Sequence, residues 1–147
     1  MIFRSHQKKC WGCNMNILLD THILIWSIIN PSNIPNKILS IIENLKNNIY
    51  VSQVSLWEIA LKHSIGKLDL NGFNLFDLPK YCKNQTFSFI TLNETDSLSV
   101  SKLSQKENHR DPFDRMLITQ AINRNYSFAS VDSKIQQYTT DGLQLLI

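Results

Sequence analysis

Asn16-Ile-Leu-Leu-Asp20, running directly into Thr21-His-Ile-Leu-Ile-Trp-Ser-Ile-Ile29, is the stretch whose reading decides the fold. A short apolar run that ends abruptly at an acid reads as a buried strand. The residues after it predict a helix over 21–29. Its apolar residues Ile23, Leu24, Ile25, Trp26, Ile28 and Ile29 cover most of its faces, so it is buried on most sides. Strand, acid, helix is the opening of an α/β unit. Open α/β sheets carry their ligand chemistry at the C-terminal ends of strands, which makes Asp20 a candidate site residue. The plainer reading is that Asp20 only caps the helix that follows. His22 reads as a packed or surface side chain.

The alternation continues outward from there. Pro35 to Asn47 carries Ile38, Leu39, Ile41, Ile42 and Leu45 near helical spacing. Ile49 to Ser52 is a second short strand. Ser55 to His63 predicts a helix in which Ser55 and Glu58 fit a capping box, with Trp57, Ile59, Ala60 and Leu61 supplying core and Lys62 solvated. Gly66 marks the end of that helix. Leu75 to Tyr81 predicts a short helix and Phe87 to Leu92 a strand. Thr95 to Leu103 predicts a helix with Leu98, Val100 and Leu103 inward. Tyr126 to Ser130 is a strand ending just before Asp132, Ile135 to Tyr138 a short helix, and Leu143 to Ile147 a final strand. No repeat, low-complexity segment or linker interrupts this order. It predicts an α/β fold with a mostly parallel central sheet.

His109-Arg-Asp-Pro-Phe-Asp-Arg115 adds a second acidic feature. Asp111 stands at a helix N-cap, where its carboxylate accepts from free backbone N–H groups. Pro112 follows at the first helical position, where a missing N–H matters little. Asp114, three residues after Asp111, shares its face, and the helix N-terminus partly offsets both charges. The apolar run 116–122 buries the rest of the helix. Asp20, Glu58 and Asp132 all fall at or shortly after strand ends. A parallel sheet aligns those ends on one edge, so these distant acids can converge with Asp114.

Composition sets the bounds. The 147 residues suit one domain, with 43% apolar residues for a core and 18% charged. The net charge of +3 comes from Arg4, Lys8 and Lys9; beyond them 12 basic residues balance 12 acidic ones. A balanced chain binds nucleic acid through a local site or a metal, not a broad basic face. No apolar run approaches the roughly 20 residues of a membrane span. The N-terminus lacks the apolar core of a signal peptide. The expectation is a soluble cytoplasmic protein. Cys10, Cys13 and Cys82 make no disulfide framework. Cys10 and Cys13 form a lone C-x-x-C without the four ligands of a zinc site, and His6 would be at most a third. Residues 1–14 read as an unstructured leader, 15–147 as the single domain, and Met15 as a better translation start.

Crowded carboxylates repel, and some must take up protons. A hard divalent cation removes the conflict, and oxygen ligands with incomplete protein coordination suit Mg²⁺ or Mn²⁺. Such a site can activate water and offset charge on a phosphoryl group. No Walker loop or Gly-rich phosphate cradle is present, and no nucleophile elbow. Metal-assisted phosphodiester hydrolysis remains. Arg110 and Arg115 flank the acids and can hold substrate phosphates, or equally form ion pairs with neighbouring acids. His109 is a weaker candidate for the phosphate role.

From Met15 to Ile147 the chain resembles PIN-domain ribonucleases, in particular VapC-like toxins of type II toxin–antitoxin pairs. The matching pieces are Leu-Leu-Asp-Thr-His at 18–22, Ser-Leu-Trp-Glu-Ile-Ala-Leu-Lys at 55–62, His-Arg-Asp-Pro-Phe-Asp-Arg-Met-Leu-Ile-Thr-Gln-Ala at 109–121 and Ala-Ser-Val-Asp at 129–132. The resemblance implies a three-layer α/β/α sandwich and a Mg²⁺- or Mn²⁺-dependent endoribonuclease. It also implies a cognate protein antitoxin and a homodimer. It assigns the catalytic and metal-binding acids to Asp20, Glu58, Asp114 and Asp132, with Asp111 as an accessory acid or cap. Ser130 stands where the family often has a small hydroxyl residue, orienting a ligand or water.

Two other readings compete. A haloacid-dehalogenase-like phosphatase wants a second Asp two residues after the first, where this chain has His22. A catalytically inactive PIN-like module would bind RNA or protein without cleaving; the presence of all four acids speaks against it.

Overall fold

The computed structural model describes residues 14–147. The Cys10–Cys13 pair and the expected leader up to residue 13 lie outside the described residues. Five strands form one sheet: β1 (Asn16–Leu19), β2 (Asn48–Ser52), β3 (Ser88–Ile90), β4 (Ser127–Ala129) and β5 (Gln144–Leu146). Their spatial order is β3-β2-β1-β4-β5, and every neighbouring pair is parallel. The sheet is therefore wholly parallel, and its oldest strand in the sequence is its centre. Parallel neighbours need crossovers. These are supplied by α1 (Thr21–Ile29), α2 (Asn36–Glu43), α3 (Gln53–Ser64), α4 (Leu78–Asn84), α5 (Glu94–Ser99) and α6 (Pro112–Arg124).

Side chains alternate across a strand, and the strands divide their apolar residues between two cores. Ile17, Leu19, Val51 and Ala129 face one side, against Ile23, Leu24 and Ile28 of α1, Ile38 and Ile42 of α2, and Tyr81 and Cys82 of α4. Leu18, Ile90 and Phe128 face the other, against Leu117, Ile118 and Ala121 of α6 and Ile135 and Tyr138. The result is the expected α/β/α sandwich. A sheet buried on both faces explains why its strands are near-continuous apolar runs.

Several local expectations shift. α3 begins at Gln53, not Ser55, because Ser52 is its N-cap: its hydroxyl accepts from Val54 N at 3.0 Å. The inward face then carries Val54, Ser55, Glu58 and Ile59, while Trp57 and Leu61, expected in the core, are exposed. The Ser55–Glu58 spacing is thus not a capping box. α3 does end as Gly66 predicts: Gly66 lies at φ +71°, Gly66 N donates to His63 O and Lys67 N to Lys62 O, the Schellman pattern. The helix expected over 95–103 is α5 plus a 3-10 turn at Val100–Lys102. Leu98 points to solvent instead of inward. The reason is Asp96, which completes a capping box with Asn93 and is drawn into the core by Arg124, Gln120 and Asn123. The short helix near 135–138 is a 3-10 segment, Ser133–Asp141.

Candidate active site

The strand order reverses beside β1: the chain runs outward through β2 and β3, then returns to add β4 on the other side. The crevice beyond the ends of β1 and β4 is such a reversal point, where open α/β sheets bind ligands. Asp20 follows β1 directly, and Ser130 and Asp132 follow β4. Asp20 Oδ2 accepts from Ser130 Oγ at 2.5 Å, while Oδ1 accepts from His22 N at 3.4 Å. Asp20 caps α1 and stands at the C-terminal edge of the sheet. Ser130 is fully buried, and its Oγ accepts from Asp132 N at 3.1 Å. One hydroxyl thus ties the two strand-end acids together. The His22 imidazole, half in solvent, lies 3.8 Å from Asp20 Oδ1. The hydrogen bond to Asp20 raises its pKa, against a smaller opposing effect of burial.

Glu58 is carried into the same crevice by α3 and is buried. Thr21 Oγ1 donates to its Oε2 at 2.6 Å and lies 3.0 Å from Ser55 Oγ. Lys62, expected in solvent, instead donates its ammonium to Glu58 Oε1. Burial works to lower the Lys62 pKa, but its hydrogen bond with Glu58 and the charges of Glu58, Asp111 and Asp114 together raise it. The start of α3 is itself anchored: Ser52 Oγ donates to Gln120 Oε1 of α6 at 2.5 Å.

The third group comes from the start of α6. Asp111 is its N-cap, with Oδ1 accepting from Phe113 N at 2.8 Å and Asp114 N at 3.2 Å; such a cap contributes about 1 kcal/mol. Asp114 then faces the crevice. Its pKa is pushed up to about 7, first by burial and then by the charges of Asp20, Asp111 and Glu58. His109 supports it from behind. Its Nε2 is 3.1 Å from Asp114 Oδ2 and 3.9 Å from Asp132 Oδ2, and its Nδ1 is 3.0 Å from the Tyr138 hydroxyl. Burial lowers the His109 pKa despite the opposing charges of Asp132 and Asp111. One ligand atom from each of His109, Asp114 and Asp132 lies within 4.8 Å of the others.

The two arginines part company. Arg110 is exposed. Arg115 is turned away from the acids: it is 8% exposed and donates to Leu103 O, Ser104 O and the Tyr138 hydroxyl at 3.0–3.2 Å. It binds the loop before α6 to the 3-10 segment after β4, so neither phosphate contact nor an ion pair with the acids describes it. Sequence reasoning passed over Thr21, Ser55, His109 as a partner of Asp114, and Lys62 as a site residue. The Glu58–Lys62 spacing of four was a readable signal; the others depend on tertiary contacts.

Among the described residues His109, Asp114 and Asp132 bring ligand atoms together, while Asp20 and Glu58 act on Asp114 through their charges; oxygen donors of this kind suit a hard divalent cation. The raised Asp114 pKa is the electrostatic mark of such a site, since like charges held together in a buried crevice oppose ionisation. The fold and site therefore define a parallel α/β domain with a carboxylate cleft at its sheet edge. The pattern of the PIN domain family matches residues 17–140, and the chain belongs to that family. No curated protein matches it in sequence. The solved structures similar to it include two VapBC structures. VapBC2 from Rickettsia felis, bound to a DNA fragment from its promoter, aligns with a TM-score of 0.65 and 19% identity over 90% of this chain and 98% of that one. VapBC-1 from nontypeable Haemophilus influenzae aligns with a TM-score of 0.66 and 20% identity over 90% and 97%.

Proposed function

We propose that this chain is a Mg²⁺- or Mn²⁺-dependent endoribonuclease and the toxin of a type II toxin–antitoxin pair. The observation that carries the proposal is the buried acidic cleft, where burial first, and then the charges of Asp20, Asp111 and Glu58, push the Asp114 carboxyl up to about 7. Asp20, Glu58, Asp114 and Asp132 are the residues that would hold the cation. The cation supplies an activated water and offsets charge on the phosphoryl group. The chain's own residues do the positioning. Ser130 fixes one oxygen of Asp20, Thr21 fixes one of Glu58, and His109 fixes one of Asp114. Arg110, exposed beside Asp111, would be the residue to meet an RNA phosphate.

The toxin role rests on the family and on the VapBC complexes that share the fold. It brings with it a protein antitoxin, a homodimeric assembly and a cytoplasmic location. No helix among the described residues is long and apolar enough to cross a membrane. The test uses purified protein freed of any partner, with RNA as substrate. Cleavage should require Mg²⁺ or Mn²⁺, stop with EDTA and fall at least about 100-fold in Asp20→Asn. Co-expression with the product of the adjacent small reading frame should give a stable, inactive complex. Cleavage that persists in EDTA rules out the metal mechanism; RNA binding without cleavage in any metal identifies a binding module.

A further inference from the structure

Lys62 is the one cationic side chain in the described residues that forms an ion pair with Glu58. It stands one helical turn beyond Glu58 on the same face of α3. Its side chain is 31% exposed, while Glu58 is buried. The ammonium therefore plugs the cleft from its mouth, with its flexible stem reaching in from the rim. The charges of Asp111 and Asp114 act on it as well as that of Glu58. Thr21 donates to the other oxygen of Glu58, and Lys62 occupies an oxygen that a cation held by Glu58 would also approach. An ammonium and a divalent cation cannot share that oxygen without strong repulsion. A lysine is also well suited to exchange partners: it is a point charge on a four-carbon stem with three rotatable donors.

We propose that Lys62 is the cleft's internal counter-ion. It holds Glu58 when the cleft has no metal, yields that oxygen when a divalent cation arrives, and then pairs with the substrate phosphate at the mouth. The inference rests on the metal-dependent reading above and adds a residue and an order of events to it. No covalent step is involved; one ion pair is exchanged for another.

The direction of one measurement separates this from a structural ion pair. Mn²⁺ binding to the full chain is measured by calorimetry, without RNA, for the wild type, Lys62→Met, Lys62→Gln and Lys62→Arg. Loss of the competing ammonium should make the Met and Gln variants bind Mn²⁺ about fivefold more tightly, the scale of one ion pair whose ammonium is partly solvated. Arg, which keeps the charge, should remain near the wild type. With an RNA oligonucleotide, the same Met and Gln variants should show a KM raised about fivefold. Unchanged Mn²⁺ affinity in both neutral variants means that Lys62 does not compete for the site. Weaker Mn²⁺ binding means that Lys62 orients Glu58 for the metal. Either result overturns the proposal while leaving the nuclease reading intact. A wild-type protein that binds no Mn²⁺ overturns the metal-dependent reading itself, and this inference with it.

Discussion

Replacing Asp114 by Asn separates the electrostatics of the cleft from the structural role of the helix start. In the metal-free protein the Asp114 carboxyl titrates at about 7, against an ordinary value of 3.8, with burial as the main cause and Asp20, Asp111 and Glu58 behind it. An acid whose folded pKa is raised takes up protons more readily in the folded state. Folded and unfolded chains therefore differ little below about pH 4. Stability then falls as pH rises, until both forms are ionised above about pH 7. At 1.36 kcal/mol per pKa unit, the loss approaches about 4 kcal/mol above neutral pH and is about 2 kcal/mol at pH 5. Asn removes this dependence at nearly constant volume. It retains a carbonyl for the His109 contact, and exchanging a charged acceptor for a neutral one there costs about 1 kcal/mol. In EDTA the variant should be more stable than wild type at pH 8 by roughly 2–3 kcal/mol, or roughly 5–10 °C in Tm. That advantage should shrink by roughly 2–3 kcal/mol towards pH 5. Mn²⁺ at about 100 times its dissociation constant adds about 2.7 kcal/mol to the wild type; the variant should lose most of that increment, and its RNA cleavage. Urea melts at four pH values with EDTA or Mn²⁺, alongside a cleavage assay, read all of this. A variant that is less stable at every pH in EDTA, yet keeps its metal response and activity, would refute the reasoning and leave Asp114 as part of the helix cap alone.

Three further outcomes follow from the same structure. Arg115→Met should destabilise by about 2–3 kcal/mol, since it strands the Leu103 and Ser104 carbonyls; denaturant melts check this, and RNA affinity at matched folded fraction should stay within about twofold. Asp96 has its pKa lowered to about 2, by hydrogen bonds from Arg124, Asn123 and Gln120 and by the Arg124 charge, which together overcome burial. A depressed acid stabilises above its unfolded pKa, so its contribution of about 2 kcal/mol should disappear as pH falls from about 4 to 2, and Asp96→Asn should flatten that acid limb in a pH series of melts. A chain beginning at Met15 should keep the Tm and the cleavage rate of the full sequence; a loss of either beyond experimental error, or stoichiometric zinc in the longer form, shows that the Cys10–Cys13 segment contributes.

How much of this was written in the sequence depends on whether a feature is local. The strand before Asp20 and the cap at Asp111 are set by neighbouring residues, and both could be read directly. The parallel sheet followed from the order of elements. Glu58 was harder, because Ser55-x-x-Glu58 satisfies a local rule that the structure does not use. Ser52, three residues earlier, captures the helix start through a contact with Gln120, 68 positions away. Arg115 sits in a run of charged residues and reads as surface. Only the carbonyls of a loop before the helix and a hydroxyl from Tyr138 turn it inward. Trp57 and Leu61 are exposed because the face of α3 turned inward is the one that carries Val54, Ser55, Glu58 and Ile59.

The bond between Ser130 and Asp20 joins residues 110 positions apart. On a ribosome this distance becomes time. At about 5–20 residues per second, the strand that completes the cleft is made roughly 5–20 s after the acid it must meet. The first strand is the centre of the sheet, so every intermediate length of nascent chain has it open on the β4 side. Asp114 and Asp132 are also still missing through most of that interval. A growing chain cannot assemble the four-acid cleft until nearly all of it has left the tunnel. Synthesis itself thus keeps these acids apart until the last strands dock.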